Sequence, residues 1–135
     1  MWTRLTVGGG AETSIEVSVE LVGKTATRHA EATFLRFKPE GSVTIEMDKL
    51  GSWMELKPGL VVDGGNKAMH GVNSGVRFTK GGTTMMLETL DAGVVVFGSP
   101  TGFPTSGLYG NEEPDLTQGV SSMLHNNLWG TNHVM

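Results

Sequence analysis

The residues best suited to recognising a sugar cluster in the stretch LHNNLWGTNHVM, residues 124–135. An aromatic ring stacks on the apolar face of a pyranose, and side-chain amides bind its hydroxyl groups. Trp129 with Asn126, Asn127 and Asn132 supplies that combination. The alternative is structural: Trp129 anchors a core, and the Asn side chains bind backbone groups at a strand end. We favour the structural alternative, and we keep Tyr109 as a second ring that could stack on a sugar.

Acidic residues raise two further hypotheses. Glu31 and Asp91 could act as the paired carboxylates of a glycoside hydrolase, although salt bridging or turn capping is the commoner role for such residues. The segment GNEEPD, residues 110–115, gathers oxygen ligands of the kind calcium accepts, but its spacing matches no EF-hand loop. We therefore expect a solvated acidic loop there.

Neither a metal site nor a known catalytic motif is predicted. The nucleophile elbow, the zinc-protease helix, the phosphate-binding loop and the dinucleotide fingerprint do not occur, and the chain has no Cys. No two His are two residues apart, the spacing that places two imidazoles on one face of a strand. We expect no cofactor, and the four histidines are His29, His70, His125 and His133.

Composition limits the classes of partner. The 135 residues carry a net charge of −4, and Lys and Arg are scattered singly, so no basic stripe is available for nucleic acid. No apolar run approaches the length of a membrane span, and the N-terminus lacks a secretion signal. We expect a single domain over 1–135, cytoplasmic by default.

Apolar and polar residues alternate along most of the chain. In TSIEVSVELV the apolar side chains of Ile15, Val17, Val19 and Leu21 share one face, which predicts a half-buried antiparallel strand. Gly81 and Gly82 predict a two-residue hairpin turn, since Gly readily adopts positive φ. Residues 98–119 predict a long loop.

This alternation predicts an all-β fold, an antiparallel β-sandwich of about ten short strands with little or no helix. The predicted strands are 2–7, 13–22, 28–37, 41–49, 53–57, 60–63, 75–79, 83–88, 94–97 and 122–128.

Four stretches in order resemble the C-terminal all-β region of large proteins related to alpha-mannosidase-type glycoside hydrolases. They are KTATRHAEATFLRFKPE (24–40), DKLGSWMELKPGLVVDGGNKAMHGVNSGVRF (48–78), LETLDAGVVVFGSPTGFP (87–104) and the C-terminal stretch above. The sequence departs from that family at His29 and Ala30, where Leu-Pro is usual. The resemblance implies a β-sandwich that packs beside a catalytic domain and performs no catalysis itself. The matched positions that could face a sugar are Arg28, Glu31, His70, Asn126, Asn127, Trp129 and Asn132.

The leading hypothesis is therefore a non-catalytic β-sandwich with weak affinity for an oligosaccharide. A rival hypothesis is a structural module that forms a homo-oligomer through an exposed edge strand. The third is a small glycosidase that uses Glu31 and Asp91.

Overall fold

The computed structural model describes residues 2–7, 14–25, 31–100 and 112–127, and the structural statements below concern those residues. Ten β-strands and one short 3-10 helix, η1, account for the regular structure. The strands are β1 (Trp2–Val7), β2 (Ile15–Glu20), β3 (Ala32–Phe37), β4 (Thr44–Lys49), β5 (Ser52–Glu55), β6 (Met69–Gly71), β7 (Gly75–Lys80), β8 (Thr83–Glu88), β9 (Val94–Phe97) and β10 (Val120–Asn126), and η1 spans Leu116–Gln118.

Eight of the strands form two four-stranded antiparallel sheets, which confirms the predicted all-β sandwich. Sheet I has the order β3-β10-β9-β6, and sheet II has the order β5-β4-β7-β8. The remaining two strands, β1 and β2, form an antiparallel hairpin of their own. Among the described residues, no helix is long and apolar enough to cross a lipid bilayer.

The core lies between the two sheets and follows from the alternation within each strand. Every second residue of a strand faces the same side, so sheet II and sheet I each present one apolar face. Burial of these side chains is the main favourable contribution to folding. The buried cluster consists of Ile45, Met47, Leu56, Val76, Phe78, Val95, Phe97 and Val120.

Two tight turns connect the strands of sheet II. Gly81 and Gly82 have φ of 56° and 83°, which confirms the predicted hairpin between β7 and β8. Leu50 and Gly51 join β4 to β5 with φ of 53° and 80°. Leu50 is therefore a non-glycine residue in the left-handed region, and it is fully exposed.

The segment between β6 and β7 crosses from sheet I to sheet II and is bound to β4. The Lys49 Nζ atom donates to the Gly71 carbonyl at 2.6 Å, and the Asn73 N–H donates to the Asp48 carbonyl at 2.9 Å. These bonds hold the two sheets in register at this end of the sandwich.

Two predictions about elements are wrong, the strand over 60–63 and the buried side of β2, and two elements were missed. No strand forms over 60–63: Leu60 N–H binds the Lys57 carbonyl at 3.1 Å and Gly65 N–H binds the Val62 carbonyl at 3.0 Å, so the chain makes two consecutive turns. The strand β6 and the helix η1 were not predicted. The apolar side of β2 is exposed, with Ile15 at 59% and Val17 at 40%, whereas the alternation predicts a half-buried strand.

Candidate functional site

Half of the sequence-predicted sugar-binding residues lie outside the described part of the chain. Those residues are Arg28, Tyr109, Trp129 and Asn132. The structure places the other four, which are Glu31, His70, Asn126 and Asn127.

Glu31 and Asn127 lie together where β3 begins and β10 ends. The side-chain oxygen of Asn127 accepts from the Glu31 N–H at 2.5 Å, and the Asn127 N–H donates to the Glu31 carbonyl at 3.0 Å. The Glu31 carboxylate is ion-paired with Lys24. Asn127 therefore binds backbone, as the structural alternative predicts, while Asn126 is exposed opposite Ala32.

His70 lies in the interior and is separated from Glu31 by two strands. It faces Val95 of β9, and its ring centroid is 5.7 Å from that of Phe97. Its Nε2–H donates to the Lys67 carbonyl at 3.1 Å. Burial lowers the pKa of His70 below its usual 6.5, an effect that the bond to the Lys67 carbonyl partly opposes and the charge of Lys49 reinforces. His70 is therefore a neutral interior residue at pH 7, away from Glu31 and Asn127.

The remaining acidic candidates have structural partners or are solvated. Asp91 is exposed in the turn between β8 and β9. Asp115 caps η1, accepting from the Thr117 N–H at 3.0 Å, and Glu113 pairs with Lys67 at 3.0 Å. Within the described ranges, no three His, Cys, Asp or Glu residues are grouped to hold a metal ion.

The outer face of sheet II, which we call the Trp53 face, carries a contiguous set of polar and aromatic side chains. Strand register places its residues in three rows across the sheet. The rows are Thr44–Thr79–Thr84, Glu55–Glu46–Arg77–Met86 and Trp53–Asp48–Gly75–Glu88.

Arg77 is the centre of the Trp53 face. Its Nε and one terminal nitrogen donate to the two oxygens of Glu46 at 2.6 and 2.8 Å, a bidentate arrangement. The same guanidinium lies 4.5 Å from the centroid of the Trp53 ring. The hydrogen bonds lower the pKa of Glu46 and raise the pKa of Arg77, so both stay charged at neutral pH.

Asp48 adds a buried carboxylate beside this array. It lies directly opposite Trp53, is only 7% exposed, and accepts from the Ser74 hydroxyl at 2.6 Å. Its other oxygen is buried without a hydrogen-bond partner. Gly75 lies next to it across the sheet, where a Cβ atom would come within 2.0 Å of the Leu87 carbonyl oxygen, so only Gly fits.

The sequence analysis missed the Trp53 face, although its signal was present. Trp53 and Glu55, like Glu46 and Asp48, occupy alternate positions of predicted strands and so point to one side. Their contact with Arg77 depends on the pairing of β4 with β7. The alternation of apolar and polar residues does not predict which strands pair.

Comparisons with known proteins identify no relative. No family model matches the chain, and neither a curated protein nor a solved structure matches it.

Proposed function

We propose that this protein is a non-catalytic binding module that recognises an oligosaccharide on the Trp53 face. The observation that carries the proposal is the Trp53 ring held by Arg77 on an open sheet face, with carboxylates on the strands around it. An aromatic ring among a few fixed polar groups is the usual composition of a sugar site.

The polar groups of the face suit hydroxyls in particular. A hydroxyl both donates and accepts, and therefore needs acceptors and donors at short range. Exposed Glu55 supplies an acceptor, and Arg77 supplies a donor. Thr79 and Thr84, whose hydroxyls lie 3.1 Å apart, supply both. A ligand with a single charge would use only part of this set.

The geometry also favours binding over hydrolysis. A glycosidase needs one carboxyl that keeps its proton near neutral pH, and hence a raised pKa. In the described residues the carboxyls with a clear shift, Glu46, Glu113 and Asp115, all have a lowered pKa, because each accepts hydrogen bonds. The described residues of the Trp53 face lie on the surface of a sheet, so we expect weak affinity.

Isothermal titration with neutral oligosaccharides such as mannosides and glucosides tests the proposal. We expect millimolar or tighter binding by the wild type. Trp53→Ala should weaken it at least tenfold, which corresponds to a loss of about 1.4 kcal/mol. Glu55→Ala changes an exposed side chain and should weaken binding without unfolding the protein.

Glu31→Gln is the matched control, because it alters the sequence-predicted site and leaves the Trp53 face intact. Binding that survives Glu31→Gln but not Glu55→Ala supports the proposal. Binding lost only in Glu31→Gln would move the site to the end of β3. No heat or chemical-shift change at millimolar ligand would overturn carbohydrate recognition altogether.

A further inference from the structure

Strand β8 forms an open edge of sheet II with few of the features that normally block strand pairing. Among the described strands it pairs only with β7, in continuous register over Thr83–Glu88. Its sequence TTMMLE contains no Pro, Lys or Arg, and Met85 and Met86 are each 41% exposed. Exposed edge strands with few charges and no Pro pair readily with further strands.

The other edges of sheets I and II are shorter or better protected. Strand β5 has four residues and β6 has three. Strand β3 carries Arg36, whose side chain binds the Gln118 carbonyl, and Lys38 and Pro39 follow it directly. Among the edges of these two sheets, the contrast singles out β8 as the one most open to a partner.

The contacts at both ends of β8 determine which of its residues direct their backbone N–H and C=O groups toward β7. The two-residue turn Gly81–Gly82 makes Lys80 and Thr83 a hydrogen-bonded pair. At the far end the Thr89 N–H donates to the Ser74 carbonyl at 3.1 Å, so residue 89, like residue 83, directs its backbone groups toward the β7 side. Odd-numbered residues of β8 therefore bond to β7.

The even-numbered residues direct their backbone N–H and C=O groups away from sheet II. These residues are Thr84, Met86 and Glu88, and their side chains lie on the outer face. An antiparallel partner strand must supply matching groups at the same spacing.

A second copy of β8 supplies them. A two-fold axis perpendicular to the sheet at Met86 pairs Met86 with Met86 of the second copy, and Thr84 with Glu88 of the second copy. Each pair joins two even-numbered or two odd-numbered residues, so the outer faces of the two copies lie on the same side of the joined sheet. On the inner side Met85 lies opposite Leu87 of the second copy. Glu88 never opposes Glu88, which avoids a like-charge pair.

We propose that the protein forms a symmetric homodimer by antiparallel pairing of β8 with β8, which joins the two copies of sheet II into one continuous sheet. The interface is isologous and closes on itself. The proposal is independent of carbohydrate binding, since it rests on the strand edge alone.

Cysteine crosslinking tests the register. The chain has no Cys, so one introduced thiol can pair only with its copy. Opposed residues of a hydrogen-bonded pair have Cα atoms about 5.5 Å apart, within the range of a disulfide. Met86→Cys should form a disulfide-linked dimer on mild oxidation. Thr84→Cys should not, because the two copies of residue 84 are offset by about 14 Å along the strand.

Sedimentation equilibrium tests the dimer itself. Met86→Lys places two like charges at the two-fold axis and should weaken dimerisation at least tenfold. Met54→Lys is the control on β5, the opposite edge strand of the same sheet, where Met54 lies opposite Met47 on the inner side and is 38% exposed, and it should leave dimerisation unchanged. A wild-type monomer at high concentration, equal effects of the two substitutions, or crosslinking of Thr84→Cys as efficient as that of Met86→Cys would each overturn the proposal.

Discussion

At the scale of single residues, two adjacent serines of β10 have opposite surroundings. Ser122 faces the core, opposite Val95, and its hydroxyl donates to the Ala92 carbonyl at 3.0 Å. Ser121 faces the other side of sheet I, is 0% exposed, and its hydroxyl is buried without a partner. A buried polar group that makes no hydrogen bond costs about 1–3 kcal/mol.

The two serines therefore respond differently to the same substitution. Ser121→Ala removes an unsatisfied hydroxyl and should leave the free energy of unfolding unchanged or raise it by up to about 1 kcal/mol. Ser122→Ala loses a hydrogen bond and should lower it by about 1 kcal/mol. Urea unfolding of both variants measures the difference. Equal losses would contradict this account of β10.

At the scale of elements, the β4–β5 turn contains a local conflict between residue and conformation. Leu50 has φ of 53° and is fully exposed, so it gains no burial in return for its unfavourable backbone. Asn and Gly adopt this region far more readily, and they dominate such two-residue turns.

Leu50→Asn should therefore stabilise the protein by about 1 kcal/mol. Leu90→Asn is the control: Leu90 is 86% exposed but does not have positive φ, so the same change there should have no stabilising effect. The midpoint of thermal unfolding measures both. A similar gain in both variants would attribute the effect to lost surface apolarity instead of to the turn.

The elements that the sequence predicts well are those whose signals are local. Strand β8 is confirmed at both ends because Gly82 precedes it and its pairing follows from a two-residue turn. Strand β6 was missed because three residues, one of them Gly71, carry no periodicity. Residues 60–63 look apolar enough for a strand, but Pro58 and Gly59, with φ of 78°, start a turn.

The candidate site was less predictable than the elements. Glu46 and Arg77 are 31 residues apart, and their contact follows from the pairing of β4 with β7. Glu31 and Asn127, two residues of the sequence-predicted site, do lie next to each other, but Asn127 binds the backbone of Glu31 there. The proposed carbohydrate ligand and the resemblance to the hydrolase-associated region both stay predictions.

At the scale of the whole molecule, acid stability depends on how the sandwich encloses His70. Burial lowers its pKa below 6.5, so the unfolded chain binds a proton more readily than the folded protein does. The stabilisation is complete above pH 6.5 and is lost as the pH falls toward the folded pKa, with a slope of at most about 1.4 kcal/mol per pH unit.

Unfolding free energies between pH 7.5 and 5 should therefore decline, and His70→Gln should flatten the decline. Glu46, Glu113 and Asp115 do not interfere, because their lowered pKa values act only below their ordinary range near 4. An unchanged slope in His70→Gln would assign the pH dependence to other groups.

The strand order has a consequence for the chain as it is synthesised. All four strands of sheet II lie between residues 44 and 88, so this sheet can assemble as soon as that block has left the ribosome. Sheet I cannot, because β3 pairs with β10, and Glu31 must wait for Asn127, 96 residues later. Until β9 and β10 emerge, Ile45 and Phe78 lack the cover of Val95, Phe97 and Val120. Because β10 lies between β3 and β9, an interruption of translation before it would remove the middle of a sheet instead of its margin.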